Sequence, residues 1–175
     1  MTDTVAAGTG DPAIRRATAD DLDGITRVYD QYIVGSAVSF DTEPWPRERR
    51  LAWWDDHQGH PRLVVLVADV AGRVVGVAYS SWYRPKAAYE RSLETSIVLD
   101  RDWCGGGLGT RLYGALLDTL ADADTHRAYA VVTLPNDASV ALHHKLGFRD
   151  VGVEDECGWK LGRYWSTLTL EKRFG

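Results

Sequence analysis

Cys104-Gly105-Gly106-Gly107-Leu108-Gly109 is a glycine loop set between two different periodicities. Before it, Ser92–Leu99 alternates like a strand, with Glu94, Ser96 and Val98 on one face and Leu93, Thr95, Ile97 and Leu99 on the other. After it, Leu108, Leu112, Leu116 and Leu120 lie four apart and predict one apolar helix stripe. Glycines let backbone N–H groups come close to a ligand and permit positive φ. A helix start adds aligned N–H dipoles, so the loop offers a place for a diphosphate. It reads equally as a glycine-rich turn with a helix cap. No Gly-Lys-Ser/Thr follows, which excludes a Walker A loop. A dinucleotide fold would want the loop after its first strand, with an acid ~20 residues later. Here it comes past mid-chain, behind a run of apparent antiparallel strands.

Working outward, Leu63–Val70 predicts a buried strand, Ala71-Gly72 a turn, and Arg73–Trp82 the antiparallel return. Upstream, Ile14–Ala17 reads as a short strand and Thr18-Ala-Asp-Asp21 as a helix start. Leu22, Ile25, Val28, Tyr29 and Ile33 follow at helical spacing. Pro44 and Pro46 interrupt, and a second helix is expected over Arg47–Asp56. Downstream come a strand at Tyr129–Thr133 and a helix over Asp137–Leu146 stopped by Gly147. Closing strands are expected at Val151–Val153 and Tyr164–Leu170. The pattern predicts an α/β chain, helices mixed around one central sheet.

The 175 residues fit one domain, with 1–12 as a flexible tail and 13–175 as the domain. Forty-five per cent apolar content argues against a disordered chain. Net charge is −5, which disfavours a sequence-independent nucleic-acid binder. Cys104 and Cys157 are too few for a disulfide framework, and no histidine spacing makes a zinc site. The start lacks a signal-peptide pattern, and no run approaches the ~18–20 apolar residues of a membrane span. These observations predict a cytoplasmic protein with no metal, no nucleic-acid partner and no membrane contact. Seven tryptophans leave pocket lining, dimer contact and core packing all open.

Leu134-Pro-Asn-Asp137 follows a strand and leads into the helix ending Lys145-Leu146-Gly147-Phe148. Taken alone, Asn136 and Asp137 cap that helix and Phe148 packs in the core. With the glycine loop, the segment resembles the GCN5-related N-acetyltransferase superfamily, whose acetyl-CoA loop runs Gln/Arg-x-x-Gly-x-Gly/Ala. Gly107 and Gly109 match, and Cys104 stands where Gln or Arg is usual. Ile14-Arg-Arg-Ala-Thr18, Val38-Ser-Phe-Asp-Thr-Glu-Pro44, Ala78-Tyr79, Ala88-Tyr89, Glu94 and Gly158-Trp159-Lys160-Leu161-Gly162 narrow it. Together they resemble the phosphinothricin and methionine sulfone acetyltransferase family over residues ~13–170. The late segment carries Ser166 where an Asp is common.

The resemblance implies a single-domain acyl-CoA N-acyltransferase fold and transfer of acetyl from acetyl-CoA to the α-amino group of a small amino-acid analogue. It implies Glu94 as general base and His143 as an active-site residue, either general acid or substrate contact. The cofactor-binding set it implies is Ile97, Val98, Leu99, Cys104, Gly105, Gly106, Gly107, Leu108, Gly109, Thr110, Asn136 and Ser139. Phe40, Arg84, Lys86, Tyr89 and Ser96 would line the acceptor pocket, Lys86 standing where Arg is usual. The family also implies a homodimer. Two competing expectations are acetylation of another small amine or a polyamine, and a non-catalytic acetyl-CoA-binding module.

Overall fold

The computed structural model describes residues 10–175. Residues 1–9 of the expected tail lie outside the described residues, and the first strand, β1, is Ala13–Arg16. The chain continues through α1 (Leu22–Ile33), α2 (Arg47–Asp56), β2 (Val65–Val70), β3 (Arg73–Trp82) and β4 (Ser92–Leu99). Then come α3 (Leu108–Asp122), β5 (Arg127–Thr133), α4 (Asp137–Lys145), β6 (Arg149–Lys160) and β7 (Arg163–Arg173). The seven strands form one sheet in the order β1-β2-β3-β4-β5-β7-β6. Every neighbouring pair is antiparallel except β4–β5. The mixed α/β expectation is met.

Both faces of the sheet are covered, which accounts for the unbroken apolar run of β2. Val65 and Val67 pack with Leu22, Ile25 and Val28 of α1, and with Val74 and Val77 of β3. Leu66 and Ala68 turn the other way, into a core filled by Leu112, Tyr113, Leu116 and Leu120 of α3. A strand buried on both faces cannot show alternation. Gly24 marks how closely α1 lies on the sheet, since a Cβ there would stand 2.9 Å from the Val74 side chain.

The start of α1 shows why Thr18–Asp21 signals a helix. The Thr18 N–H donates to the Asp21 carboxylate at 2.7 Å, and Arg15 grips the same carboxylate with two bonds of 2.7 and 2.8 Å. A short 3-10 turn over Ala19–Asp21 precedes the α-helix proper. The closing strands extend well beyond the expected segments, forming one long β6–β7 hairpin. β6 is exposed along most of its length, with Glu154, Asp155 and Glu156 in its middle, and its register shifts between Glu154 and Gly158. Cross-strand backbone pairing holds it, which hydrophobic alternation does not reveal. Leu63 and Val64 are buried but precede β2 in a turn closed by Leu63 N–H to the His60 carbonyl.

The parallel β4–β5 pairing positions the site. It lasts three residues, Ser92 with Arg127 through Glu94 with Tyr129. Beyond Glu94, β4 remains paired to β3 out to Leu99 and Gly76. β5 runs on against β7. The two strands part in mid-sheet and leave one edge of β4 facing a gap. Thr95 is the tie at the fork: its Oγ1 donates to the Tyr129 carbonyl at 3.1 Å and accepts from the Tyr113 hydroxyl at 2.7 Å.

Candidate active site

Two hollows meet at this fork. A groove of about 500 Å³ lies along the free edge of β4, the glycine loop and the start of α4. A cavity of about 320 Å³ lies beneath α1 and the α1–α2 segment. Tyr32, Val38, Ile97, Val98, Asn136 and Ser139 line both, so the two communicate.

The groove collects most of the expected cofactor residues. Leu99, Cys104, Gly105, Gly107, Gly109 and Thr110 line it, as do the shared Ile97, Val98, Asn136 and Ser139. Leu108 instead points into the core, and Gly106 lies outside the lining. Gly107 is the N-cap of α3, with φ of 83° and no side chain capping the helix. The first-turn N–H groups are therefore left for a ligand. A Cβ built at Gly105, Gly106 or Gly107 would meet nothing within 4 Å, so the loop borders open space. This is the cradle a pyrophosphate needs, and the residues fit acetyl-CoA. Asn136 caps α4, its Oδ1 accepting from Ser139 N–H at 3.2 Å. Its capping role and its place in the groove coexist. Tyr32, which sequence periodicity does not single out, donates to the Leu99 carbonyl at 2.8 Å.

The cavity holds the titratable groups. Glu94 lies half-buried on the face that alternation predicts, shared with Ser96. Its carboxylate has no hydrogen bond or ion pair with any described residue, and burial pushes its pKa up. His143 is buried in α4, edge-on to Tyr113 and Phe148 with both centroids at 5.1 Å. Its Nδ1 lies 2.7 Å from the Ser139 carbonyl oxygen. A carbonyl only accepts, so Nδ1 carries the hydrogen. Burial lowers the His143 pKa, keeping the ring neutral with Nε2 as its acceptor atom.

Phe40 and Ser96 line the cavity as expected. Arg84, Lys86 and Tyr89 line neither hollow. The Arg84 guanidinium is exposed and stacks on Tyr83 and Tyr89, 4.9 and 5.6 Å from their centroids. Lys86 is exposed at the start of a 3-10 turn. Residues missed from the sequence are Tyr29, Asp41, Arg50 and Tyr79, all lining the cavity. Phe40 is placed by a contact between distant segments. Gly158 of β6 lies so close to its ring that a Cβ there would stand 2.2 Å from it. Lys160 Nζ donates to the Ser39 and Asp41 carbonyls, both at 2.6 Å. The Gly-Trp-Lys-Leu-Gly stretch thus fastens the α1–α2 segment over the cavity.

Among the described residues, no group of three or more His, Cys, Asp and Glu is arranged to hold a metal ion. No helix among them is long and apolar enough to cross a membrane.

Comparison with known proteins agrees with this geometry. The acetyltransferase (GNAT) family profile matches residues 25–148. A phosphinothricin N-acetyltransferase of Streptomyces coelicolor is 40% identical over 167 residues, 94% of this chain and 98% of that protein. An L-methionine sulfoximine/L-methionine sulfone acetyltransferase of Pseudomonas aeruginosa is 35% identical, over 90% of this chain and 91% of that one. The crystal structure of a phosphinothricin acetyltransferase from Sinorhizobium meliloti in complex with acetyl-CoA superposes with a TM-score of 0.87. It is 29% identical and covers 95% of this chain and 90% of that one. Fold, cradle and relatives converge: the chain belongs to the GNAT family, an N-acetyltransferase that uses acetyl-CoA.

Proposed function

We propose that this enzyme acetylates the α-amino group of a small amino-acid analogue of the phosphinothricin, methionine sulfone or methionine sulfoximine type. The carrying observation is that the unpartnered Glu94 carboxylate and the neutral His143 line one cavity of about 320 Å³ opening onto the cofactor groove. That volume suits an amino acid and is small for a peptide. Relatives named for phosphinothricin and methionine sulfone acetylation support the same class.

Bound acetyl-CoA supplies the activated acetyl group. An ammonium has no lone pair, so the acceptor must lose a proton before it attacks. Glu94 takes that proton through water, and its raised pKa brings it toward the working range of a base. His143 presents an Nε2 acceptor to the same amine. Once protonated there, it can return a proton to the departing thiolate. The free edge of β4 at Ile97–Leu99 holds the pantetheine arm by strand-like hydrogen bonds. The enzyme works in the cytoplasm as a homodimer. Trp159, Leu161 and Tyr164 of the β6–β7 hairpin are all more than half exposed and offer an apolar face for the second copy.

The test is acetyl-CoA consumption by the purified protein with phosphinothricin, methionine sulfone and spermidine offered separately. Turnover on either amino-acid analogue, with little on spermidine, is the expected result. Turnover on spermidine alone would overturn the acceptor class. Acetyl-CoA binding without turnover on any amine would favour a non-catalytic binding module.

A further inference from the structure

Arg50 of α2 is 4% exposed and lines the cavity that Glu94 and His143 share. Its guanidinium carbon lies 4.4 Å from the Trp45 ring centroid, 5.1 Å from Tyr29 and 5.3 Å from Trp53. These rings hold the guanidinium by cation–π contact. None of the three accepts a hydrogen bond from it. Among the described residues Arg50 makes no side-chain hydrogen bond and no ion pair, and its Nε is buried without a partner. The nearby Asp41 carboxylate is 3.5 Å from Arg49 instead. A guanidinium carries five N–H donors, and a buried donor left without a partner is costly. The Asp30 and Asp41 carboxylates act on Arg50 through their charge, yet among the described residues neither makes a hydrogen bond or ion pair with it.

We propose that Arg50 is the anion-binding residue of the acceptor site, receiving an oxyanion of the amino-acid substrate in a two-pronged contact. The inference rests on the acceptor class proposed above and adds a specificity residue to it. Arg84 and Lys86 do not line this cavity within the same chain. A planar guanidinium matches two oxygens on one centre, and its aromatic walls fix the plane of the fork. The group bound is either the α-carboxylate or the side-chain oxygens, which belong to an anionic phosphinate or to an uncharged sulfone that accepts through its two oxygens.

The experiment measures kcat and KM for methionine sulfone, its carboxamide, and methionine, in the native enzyme and in Arg50→Gln. The expected result is that Arg50→Gln raises the KM for methionine sulfone by about 30-fold or more, as for a buried charge pair that loses one partner. The KM for acetyl-CoA should stay within about twofold, because Arg50 does not line the groove. Collapse of the acid-to-carboxamide preference identifies the carboxylate as the bound group. Collapse of the sulfone-to-methionine preference identifies the side-chain oxygens. If both preferences survive in Arg50→Gln, Arg50 is a packing cation and the proposal is overturned. Should Arg50→Gln not fold, Arg50→Lys gives the same readout, since lysine keeps the charge but loses the fork. No turnover or calorimetric binding of any amino-acid acceptor by the native enzyme would overturn the acceptor class and this proposal together. Turnover with unchanged preferences overturns this proposal alone.

Discussion

Glu94→Gln should lower activity and raise stability, two effects of opposite sign from one oxygen-for-nitrogen exchange. Glu94 is half-buried in β4 and has no hydrogen bond or ion pair among the described residues to lose. Its amide replacement has nearly the same shape, and the Leu93 and Thr95 neighbours face the opposite side of the strand. A positioned general base contributes roughly 10²–10⁴ in rate. At about 1.36 kcal/mol per tenfold, that is a barrier increase of roughly 3–5 kcal/mol. It should fall on kcat, with the KM for acetyl-CoA unchanged, because Glu94 lines the cavity and not the groove. Stability follows from linkage. Burial raises the folded carboxyl pKa above its unfolded value, so the folded state holds the proton more tightly. The resulting penalty is absent below the unfolded pKa, grows as pH rises through the folded pKa, and is constant above it. At pH 7 the variant should therefore be more stable, by about 1 kcal/mol or roughly 2–4 °C in Tm for a chain of this size. That advantage should vanish in acid, below the unfolded carboxyl pKa. In the native enzyme kcat/KM should fall as pH drops through the same raised pKa. Steady-state kinetics with calorimetric melts at several pH values read every arm. A kcat loss below tenfold, or a lower Tm at pH 7, would refute the assignment of Glu94 as an unpartnered base.

Lys160→Met removes both bonds from Nζ to the Ser39 and Asp41 carbonyls. Each charge-assisted bond contributes about 1.5–3 kcal/mol, offset by the cost of drying the ammonium, so denaturant melts should show a net loss of about 1–3 kcal/mol. The acceptor KM should rise as well, since Ser39, Phe40 and Asp41 line the cavity. Gly107→Ala introduces no clash, but it forces an alanine to φ of 83° at the head of α3. A stability loss of about 1–2 kcal/mol is expected, with a higher KM for acetyl-CoA and an unchanged acceptor KM. Tyr113→Phe deletes the hydroxyl that donates to Thr95 Oγ1 at 2.7 Å at the β4–β5 fork. It should cost about 1–2 kcal/mol in chemical unfolding, because the buried Thr95 loses a partner. A neutral effect would mean that this bond does not hold the fork.

Local periodicity and turn chemistry determined much of this protein from the sequence alone. The four leucines of α3, the apolar run of β2 and the Arg73–Trp82 and Ser92–Leu99 strands are properties of neighbouring residues, and each lies where its pattern predicts. The same holds for Glu94, because side chains on a strand alternate and its face follows from position. The glycine loop is legible because a helix start with no capping side chain leaves its donors in place. The tertiary structure decided what depends on distant segments meeting. The fork exists because β4 keeps β3 as its partner while β5 turns to β7, a choice no single strand encodes. The long β6–β7 hairpin rests on backbone pairing that polar side chains conceal. Cationic side chains diverge most: Arg84 and Lys86 sit in a suggestive segment yet face outward, whereas Arg50, in a helix whose pattern marks it as surface, is folded into the cavity. Charge is read from a sequence one residue at a time. Whether that charge is wet or dry is set by the aromatic rings that α1, α2 and the segment between them bring around it.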